Sequence, residues 1–181
     1  MKRIIPVVII AIALAIVALK FFGPAQSSMG EIVESWETAN QTFRVRIDLR
    51  PERASFAQVL AGAYYVFQSA PVGSNNWHEI MTFHHGDPVP IPREQVHFVN
   101  DRVGYIFMGW MYAVTTDGGA TWSVWNAQND LSHWQCCNYR LIKDVHLESD
   151  GTGIMTLNPI PQRSGEVPEL RTKDYGKHWS L

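Results

Sequence analysis

A histidine-rich stretch in the middle of the chain is the first group of residues whose types could bind a metal ion. Within ten residues it holds three imidazoles and two carboxylates: His78, Glu79, His84, His85 and Asp87. If residues 77–84 form a strand, His78 and His84 share a face but lie about 20 Å apart, at about 3.3 Å per residue. His84, His85 and Asp87 in a loop would supply about two ligands, fewer than a zinc site takes. We therefore expect no metal site and no cofactor.

The two cysteines, Cys136 and Cys137, are adjacent in the sequence and could do redox chemistry. Their Cα atoms are about 3.8 Å apart, less than the usual spacing across a disulfide, so a bridge between them would be strained and easily reduced. Three interpretations stay open: a vicinal disulfide that stiffens its loop, two buried thiols, or a link to another chain. A redox-active pair is the least favoured.

Two aspartates, Asp117 and Asp174, could be taken for a pair of catalytic carboxylates, but they occupy matching positions in a repeated pattern. The pattern is Ser/Thr-x-Asp-x-Gly-x-x-Trp, and its two copies contain Thr115, Asp117, Gly119 and Trp122, and Thr172, Asp174, Gly176 and Trp179. Such an Asp accepts hydrogen bonds from the backbone N–H groups of a tight turn, and the Gly supplies a positive φ. The spacing therefore predicts two structural hairpin corners that do no chemistry by themselves.

These corners resemble the Asp-box, also called the bacterial neuraminidase repeat, which occurs in sialidases and in many other β-propeller proteins. The resemblance covers eight residues in each copy and keeps the Thr, Asp, Gly and Trp positions. It implies repeated β-hairpins in a propeller-like fold. It does not imply one activity, because the repeat occurs in enzymes, assembly factors, receptors and binding proteins.

The chain before each corner is organised as the same repeat. Residues 96–101 and 145–150 each precede a second apolar run and then a corner, and residues 64–77 form a degenerate copy. The roughly 150 residues after the N-terminal segment suffice for three to four units of about 40–50 residues each. We predict an all-β fold, an antiparallel meander of three to four Asp-box hairpin repeats that forms a small or partial β-propeller.

Further predictions concern the two ends of this meander. Residues 31–38 and 43–49 are expected to be strands, and one of them is expected to pair with the last unit and close the array. Residues 51–60 are expected to form a short helix, with Pro51 near its start and Gly62 as its stop. The extra residues of the last repeat are expected within 158–168.

An almost unbroken apolar run fills residues 4–22 and is interrupted by Lys20. Its length is close to the roughly 20 residues of a membrane-spanning helix, and neither an Ala-x-Ala cleavage site nor a lipoprotein cysteine follows it. We predict a transmembrane anchor (residues 1–22), a linker (23–30) and an exported β-repeat domain (31–181). Lys2 and Arg3 keep the N-terminus in the cytoplasm, so the domain faces the periplasm from the inner membrane. The alternative is a cleaved signal that releases the domain into the periplasm.

The charge of the domain argues against nucleic acid as a partner. Three of the 15 basic residues lie within the first 20, which leaves 12 basic against 17 acidic residues in the rest of the chain. A domain of this charge attracts neither nucleic acid nor an anionic membrane surface.

The candidate binding surface is a set of aromatic side chains near the first corner and the cysteines: Trp110, Trp125, Trp134 and Tyr139. Exposed aromatic side chains anchor protein partners or stack on sugars. The sequence lacks a Gly-x-Ser-x-Gly motif and is too short for the six- or seven-bladed ring of a sialidase. We therefore expect a non-catalytic domain that binds a protein partner, with a glycan-binding module or a sialidase-like glycoside hydrolase as the alternative.

The overall organisation, a short anchored periplasmic domain with Asp-box hairpins, also resembles some immunity proteins that neutralise antibacterial effectors delivered by type VI secretion. This resemblance implies a protein partner and assigns no residue.

Overall fold

A computed structural model describes residues 28–53, 62–87, 89–131, 142–158 and 169–181. Nearly all of the regular structure in these residues is antiparallel β-sheet, in three sheets that follow one another along the chain. The helical segments described are a 3₁₀ turn (Arg93–Gln95) and one α-helical turn, α1 (Ala127–Asp130). The predicted antiparallel β class is confirmed here, as a curled, propeller-like array of three sheets.

The first sheet contains β1 (Ser28–Met29), β2 (Glu34–Ala39), β3 (Phe43–Arg53), β4 (Ala63–Pro71) and β5 (His78–His85). β3 is central, because it pairs with β4 along one edge and with β1 and β2 along the other. Its residues alternate, so that Phe43, Val45 and Ile47 are fully buried on one face whereas Arg44 and Arg46 lie on the other. The strand predicted at residues 43–49 is confirmed, and the one predicted at 31–38 begins three residues later.

The helix predicted at residues 51–60 is wrong at its start, because Pro51, Glu52 and Arg53 continue β3. The carbonyl oxygen of Pro51 accepts from the N–H of Gly30 at 2.7 Å, and the N–H of Glu52 donates to the carbonyl of Gly62 at 2.9 Å. Proline has no N–H to donate, but the bond from Gly30 needs only the carbonyl oxygen of Pro51, so the sheet accommodates proline at this position. Residues 54–60 lie outside the described part of the chain.

The second sheet runs in chain order through β6 (Val96–Phe98), β7 (Gly104–Met108), β8 (Met111–Thr115) and β9 (Ser123–Asn126). The third sheet contains β10 (Ile142–Leu147), β11 (Gly153–Leu157) and β12 (Glu169–Thr172). Turns at Asn100–Asp101 and Asp150–Gly151 join β6 to β7 and β10 to β11. Beyond β12, the described third sheet has a single bridge, between Arg171 and Ser180.

The second sheet lies between the other two and is buried on both faces. Alternate side chains of β7 and β8 enter two clusters: Ile106, Met108 and Ala113 pack with the first sheet, and Tyr105, Phe107, Tyr112 and Val114 pack with the third. Every residue of β7 is therefore buried, and its sequence is a continuous apolar run rather than an alternating one.

The predicted pairing of an N-terminal strand with the last unit is wrong. β2 and β3 belong to the first sheet, and in the described residues β12 pairs only with β11 and the Ser180 bridge. Both edges of β3 are already occupied, and the outer face of the third sheet carries the exposed side chains of Asp144, His146 and Arg171. In a closed ring, both faces of every sheet would be buried. An exposed polar face on the last sheet is instead typical of an open stack, whose terminal units face solvent. The described strands therefore form an open arc.

The strand order gives the array two distinct ends. We call one the corner end, where β4, β8 and β12 finish and where the turn at residues 72–77 and both predicted corners lie. We call the other the connection end, where β3, β5, β7, β9 and β11 finish and where β4, β8, β10 and β12 begin. The strands that flank residues 54–61, 132–141 and 159–168 therefore all meet those segments at the connection end.

Candidate functional site

The first corner, residues 115–122, is a closed hydrogen-bond network inside one turn. The hydroxyl of Thr115 donates to Asp117 Oδ1 at 2.8 Å and accepts from the N–H of Gly119 at 3.0 Å. The carboxylate of Asp117 accepts from the N–H of Thr121 at 2.9 Å and from its hydroxyl at 2.5 Å. Gly118 and Gly119 have φ of 76° and 81°, a conformation that side chains with a Cβ resist.

The second corner, residues 172–179, repeats this network position by position. The hydroxyl of Thr172 donates to Asp174 Oδ1 at 2.8 Å and accepts from the N–H of Gly176 at 2.9 Å. His178 stands in the place of Thr121: its N–H donates to Asp174 Oδ1 at 3.1 Å and its Nδ1 lies 2.6 Å from Oδ2. Tyr175 and Gly176 have φ of 62° and 80°. The same four residue types thus build the same backbone shape twice.

Both corner carboxylates are held in the ionised form. Burial would raise the pKa of Asp174, but the hydrogen bonds from His178 and Thr172 outweigh it and lower the pKa from 3.8 to about 2. Burial likewise opposes the shift at Asp117, whose pKa is lowered by the bonds from Thr121 and Thr115. Their oxygens are occupied within their own turns and they carry no proton at neutral pH, so neither group can act as a general acid.

The low pKa of Asp174 predicts that its contribution to stability is lost in acid. A carboxylate with a depressed folded pKa stabilises the fold above its unfolded pKa, and this contribution disappears as the pH falls through the folded pKa. The Asp174→Asn variant should therefore be less stable than the parent chain at about pH 6, and the difference should shrink between about pH 4 and pH 2. Urea unfolding at several pH values measures the difference, and a constant difference across this range would contradict the assignment.

The first corner also fixes the second sheet to the first sheet. Ser69, fully buried on β4, donates its hydroxyl to the carbonyl of Gly119 at 3.1 Å and accepts from Trp122 Nε1 at 3.0 Å. Gly119 lies against the ring of Phe43, so that a Cβ added to this glycine would come within 2.8 Å of the ring. The indole of Trp122 contacts the same phenyl ring edge-on, with centroids 6.0 Å apart.

The second corner fixes the third sheet to the second in the same manner. A Cβ added to Gly176 would lie 2.6 Å from the hydroxyl oxygen of Tyr112, which donates to the carbonyl of Tyr175 at 2.9 Å. The indole of Trp179 packs edge-on against Tyr112, with centroids 5.4 Å apart. Each corner therefore packs on the preceding sheet. Its polar groups and its tryptophan hold neighbouring sheets together.

The aromatic residues proposed as a binding surface are placed differently from one another. Trp110 is half-buried, contacts both apolar clusters and lies 4.8 Å from the ring of Phe83. Trp125 is half-buried against the cluster between the second and third sheets, 6.5 Å from Trp179. These two indoles are thus largely occupied by packing. The other two, Trp134 and Tyr139, lie outside the described residues, as do Cys136 and Cys137.

The histidine-rich stretch is spread along β5 and the residues after it. His78 is exposed at the corner end, whereas His84 Nε2 lies 2.9 Å from Glu52 Oε2 on the opposite face of β5 from His85. The ring of His85 accepts from the N–H of Asp87 at 3.0 Å. Among the residues that the structure describes, no three His, Cys, Asp or Glu side chains are grouped as metal ligands.

Sequence reasoning missed a cleft of about 680 Å³ at the connection end, where the three sheets meet. Its apolar lining comes from the segment between β5 and β6 and from two strand ends: Val89, Ile91, Pro92, Met108 and Ile142. Glu94 and Lys143 are exposed charged residues of the same cleft. The one signal in the sequence was Val-Pro-Ile-Pro at 89–92, an apolar run whose prolines exclude it from a central strand.

The walls of the cleft are fixed by hydrogen bonds. The hydroxyl of Tyr65, on β4, donates to the carbonyl of Val89 at 2.5 Å and accepts from its N–H at 2.8 Å. Burial raises the pKa of this phenol, so it stays protonated and keeps both bonds. On the opposite side, the N–H of Ile142 donates to the carbonyl of Gly109 at 2.8 Å, which joins the third sheet to the second. The cleft is therefore a preformed feature of the packed sheets.

Comparisons of the chain with protein-family models, with curated proteins and with solved structures find no match in any of the three. Function is therefore inferred from the chain and its geometry. Within the described ranges no helix is both long and apolar enough to cross a bilayer, and the predicted anchor, residues 1–22, lies outside them.

Proposed function

We propose that this protein is a non-catalytic, membrane-anchored extracytoplasmic domain that binds a protein partner through its connection end. The observation that carries this proposal is a difference between the two ends of the array. At the corner end, the threonine and aspartate side chains of both Asp-box-like corners are taken up by internal hydrogen bonds. At the connection end, the described residues of the three sheets leave a preformed cleft between them.

The composition of the cleft favours a protein partner. Its lining combines apolar side chains such as Met108 and Ile142 with exposed charges at Glu94 and Lys143. Protein interfaces usually combine apolar side chains with polar and charged ones, as this lining does. The corner carboxylates accept hydrogen bonds within their own turns, which gives them a structural role and leaves the cleft as the proposed binding site.

The most specific form of this proposal is an immunity protein that neutralises an antibacterial effector in the periplasm. An anchored domain is already present in the compartment where such an effector acts, and it needs only a rigid complementary surface to block it. The products of neighbouring genes are the first partners to test. The glycan-binding alternative requires exposed aromatic side chains, and the two candidates that lie in the described part of the chain, Trp110 and Trp125, are mostly packed against other residues.

Charge reversal at the cleft tests the proposal. The full chain is co-expressed with each toxic neighbouring gene product, and growth rescue and the dissociation constant are measured. The Glu94→Lys and Lys143→Glu variants should weaken binding at least about tenfold, or about 1.4 kcal/mol, because like charges then face each other across the interface. Lys177→Glu, an exposed lysine at the corner end, is the matched control and should bind as the parent does.

Two results would contradict the proposal. Equal weakening by Lys177→Glu and by the cleft variants would mean that the cleft is not the binding site. Binding to a glycan array, with no protein partner and no rescue, would favour the glycan-binding alternative.

A further inference from the structure

The first described residues carry three exposed apolar side chains close together in the chain. Met29, Ile32 and Val33 are 45%, 45% and 63% exposed. They are three of the six large hydrophobic residues that are strongly exposed in the described ranges, and the other three (Val72, Val124 and Leu181) are scattered. Single exposed apolar residues are ordinary, but a cluster marks a surface that contacts something apolar. We call Met29, Ile32 and Val33 the apolar edge.

The backbone of the apolar edge is fixed to the first sheet. Met29 lies opposite Glu52 in the pairing of β1 with β3, and the N–H of Gly30 donates to the carbonyl of Pro51 at 2.7 Å. The N–H of Val33 donates to the carbonyl of Leu49 at 3.0 Å. The backbone that carries the three side chains is therefore held against β3 on both sides of Ile32.

The charges around the apolar edge are balanced. Glu31 lies 4.0 Å from the guanidinium of Arg53, and Glu34 lies 3.7 Å from that of Arg93. No excess of positive charge attracts anionic lipid here, and the domain as a whole is acidic. A contact made by this surface therefore depends on the burial of apolar side chains rather than on charge.

The sequence before the apolar edge limits how far it can lie from a bilayer. The apolar run ends at Phe22, and five residues, 23–27, separate it from Ser28. Even fully extended, the chain from Phe22 to Ser28 spans only about 20 Å. Because Ser28 pairs with Arg53 at the end of β3, the chain enters the domain at the connection end.

We propose that the apolar edge rests in the headgroup region of the bilayer that holds the anchor, with Met29, Ile32 and Val33 inserted among the lipids. This inference rests on the membrane anchor of the proposed function. Short apolar surfaces insert into the interfacial layer in this way, and a covalent anchor supplies the high local concentration that a small surface needs. Since Glu34 on the same edge pairs with Arg93, next to the cleft residue Glu94, the cleft opens beside the membrane surface. The partner is then bound close to the bilayer.

Photo-crosslinking from two matched valines tests this contact. The full chain is placed in nanodiscs of phosphatidylcholine, with the photoreactive residue p-benzoylphenylalanine at Val33 in one variant and at Val72 in the other. Val72 is also strongly exposed, at 48%, but lies at the corner end. Lipid adducts, measured by mass spectrometry, should be at least about tenfold more abundant at position 33, and high salt should not reduce them. Labelling at Ile32 repeats the test if the variant at 33 folds poorly.

Extraction with alkaline carbonate, done in parallel on native membranes, separates this inference from the anchor itself. If the chain stays in the membrane but positions 33 and 72 give equal lipid adducts, or position 33 crosslinks only to protein, the contact is refuted and the anchor stands. If carbonate releases the chain, or its mature form begins after residue 27, the anchor is refuted and the contact with it.

Discussion

Replacing Gly119 with alanine should lower the free energy of unfolding by about 3 kcal/mol, whereas the same change at Gly73 should cost about 1 kcal/mol. Both glycines have a φ of 81°, so alanine is strained to the same degree in both places. They differ in their surroundings: a Cβ at Gly119 would lie 2.8–2.9 Å from three carbon atoms of Phe43, whereas nothing lies within 4 Å of one at Gly73. The difference between the two variants isolates the contact between the corner and the first sheet.

Urea unfolding of both variants, followed by circular dichroism, measures this difference. The slope of the transition should be unchanged, because the amount of surface exposed on unfolding is the same. Equal losses at the two positions would show that the first corner does not press on Phe43 and that it is a local turn without a role in stacking the sheets.

The Ser69→Ala variant should lose about 2 kcal/mol of stability. Its hydroxyl joins Trp122 Nε1 to the carbonyl of Gly119, and alanine leaves both of these groups without that partner. The loss of stability arises because buried polar groups are left without a hydrogen-bond partner. It should therefore be smaller when the indole N–H of Trp122 is absent. In a Trp122→Phe background, Ser69→Ala should therefore cost less than in the parent chain.

A double-mutant cycle gives the coupling between Ser69 and Trp122, which we expect to be about 1 kcal/mol. Trp179→Phe in the second corner is the matched control, because Trp179 Nε1 is buried without a hydrogen-bond partner in the described structure. The same cycle between Ser69 and Trp179 should give a coupling near zero. Additive effects of Ser69→Ala and Trp122→Phe would contradict the proposed bond between the first two sheets.

The corners could be predicted from the sequence because all of their determinants are local. Thr115, Asp117 and Gly119 form their network within five residues, and the second corner repeats it with Thr172, Asp174 and Gly176. What the sequence did not show is what each corner packs against. Ser69 is 50 residues from Gly119, and nothing near it in the sequence indicates that its hydroxyl will meet a turn of the next sheet.

The remaining differences also come from tertiary contacts. Pro51 near an apolar run is typical of a helix start, but the pairing of β3 with β1 and β4 determines its conformation. Sequence alone could not show that Trp110 packs against two apolar clusters at once. The cleft was missed because its lining extends from His85 to Asn158 and forms only when three sheets meet.

The central claim is that the corner end builds the stack and the connection end binds the partner. Hydrogen–deuterium exchange of the full chain, with and without the partner identified by growth rescue, tests it most directly. We predict new protection in residues 89–95, 108–109 and 142–143, and unchanged exchange in residues 116–122 and 173–178. Protection that appears at the two corners while the cleft segments exchange as in the free chain would contradict the claim.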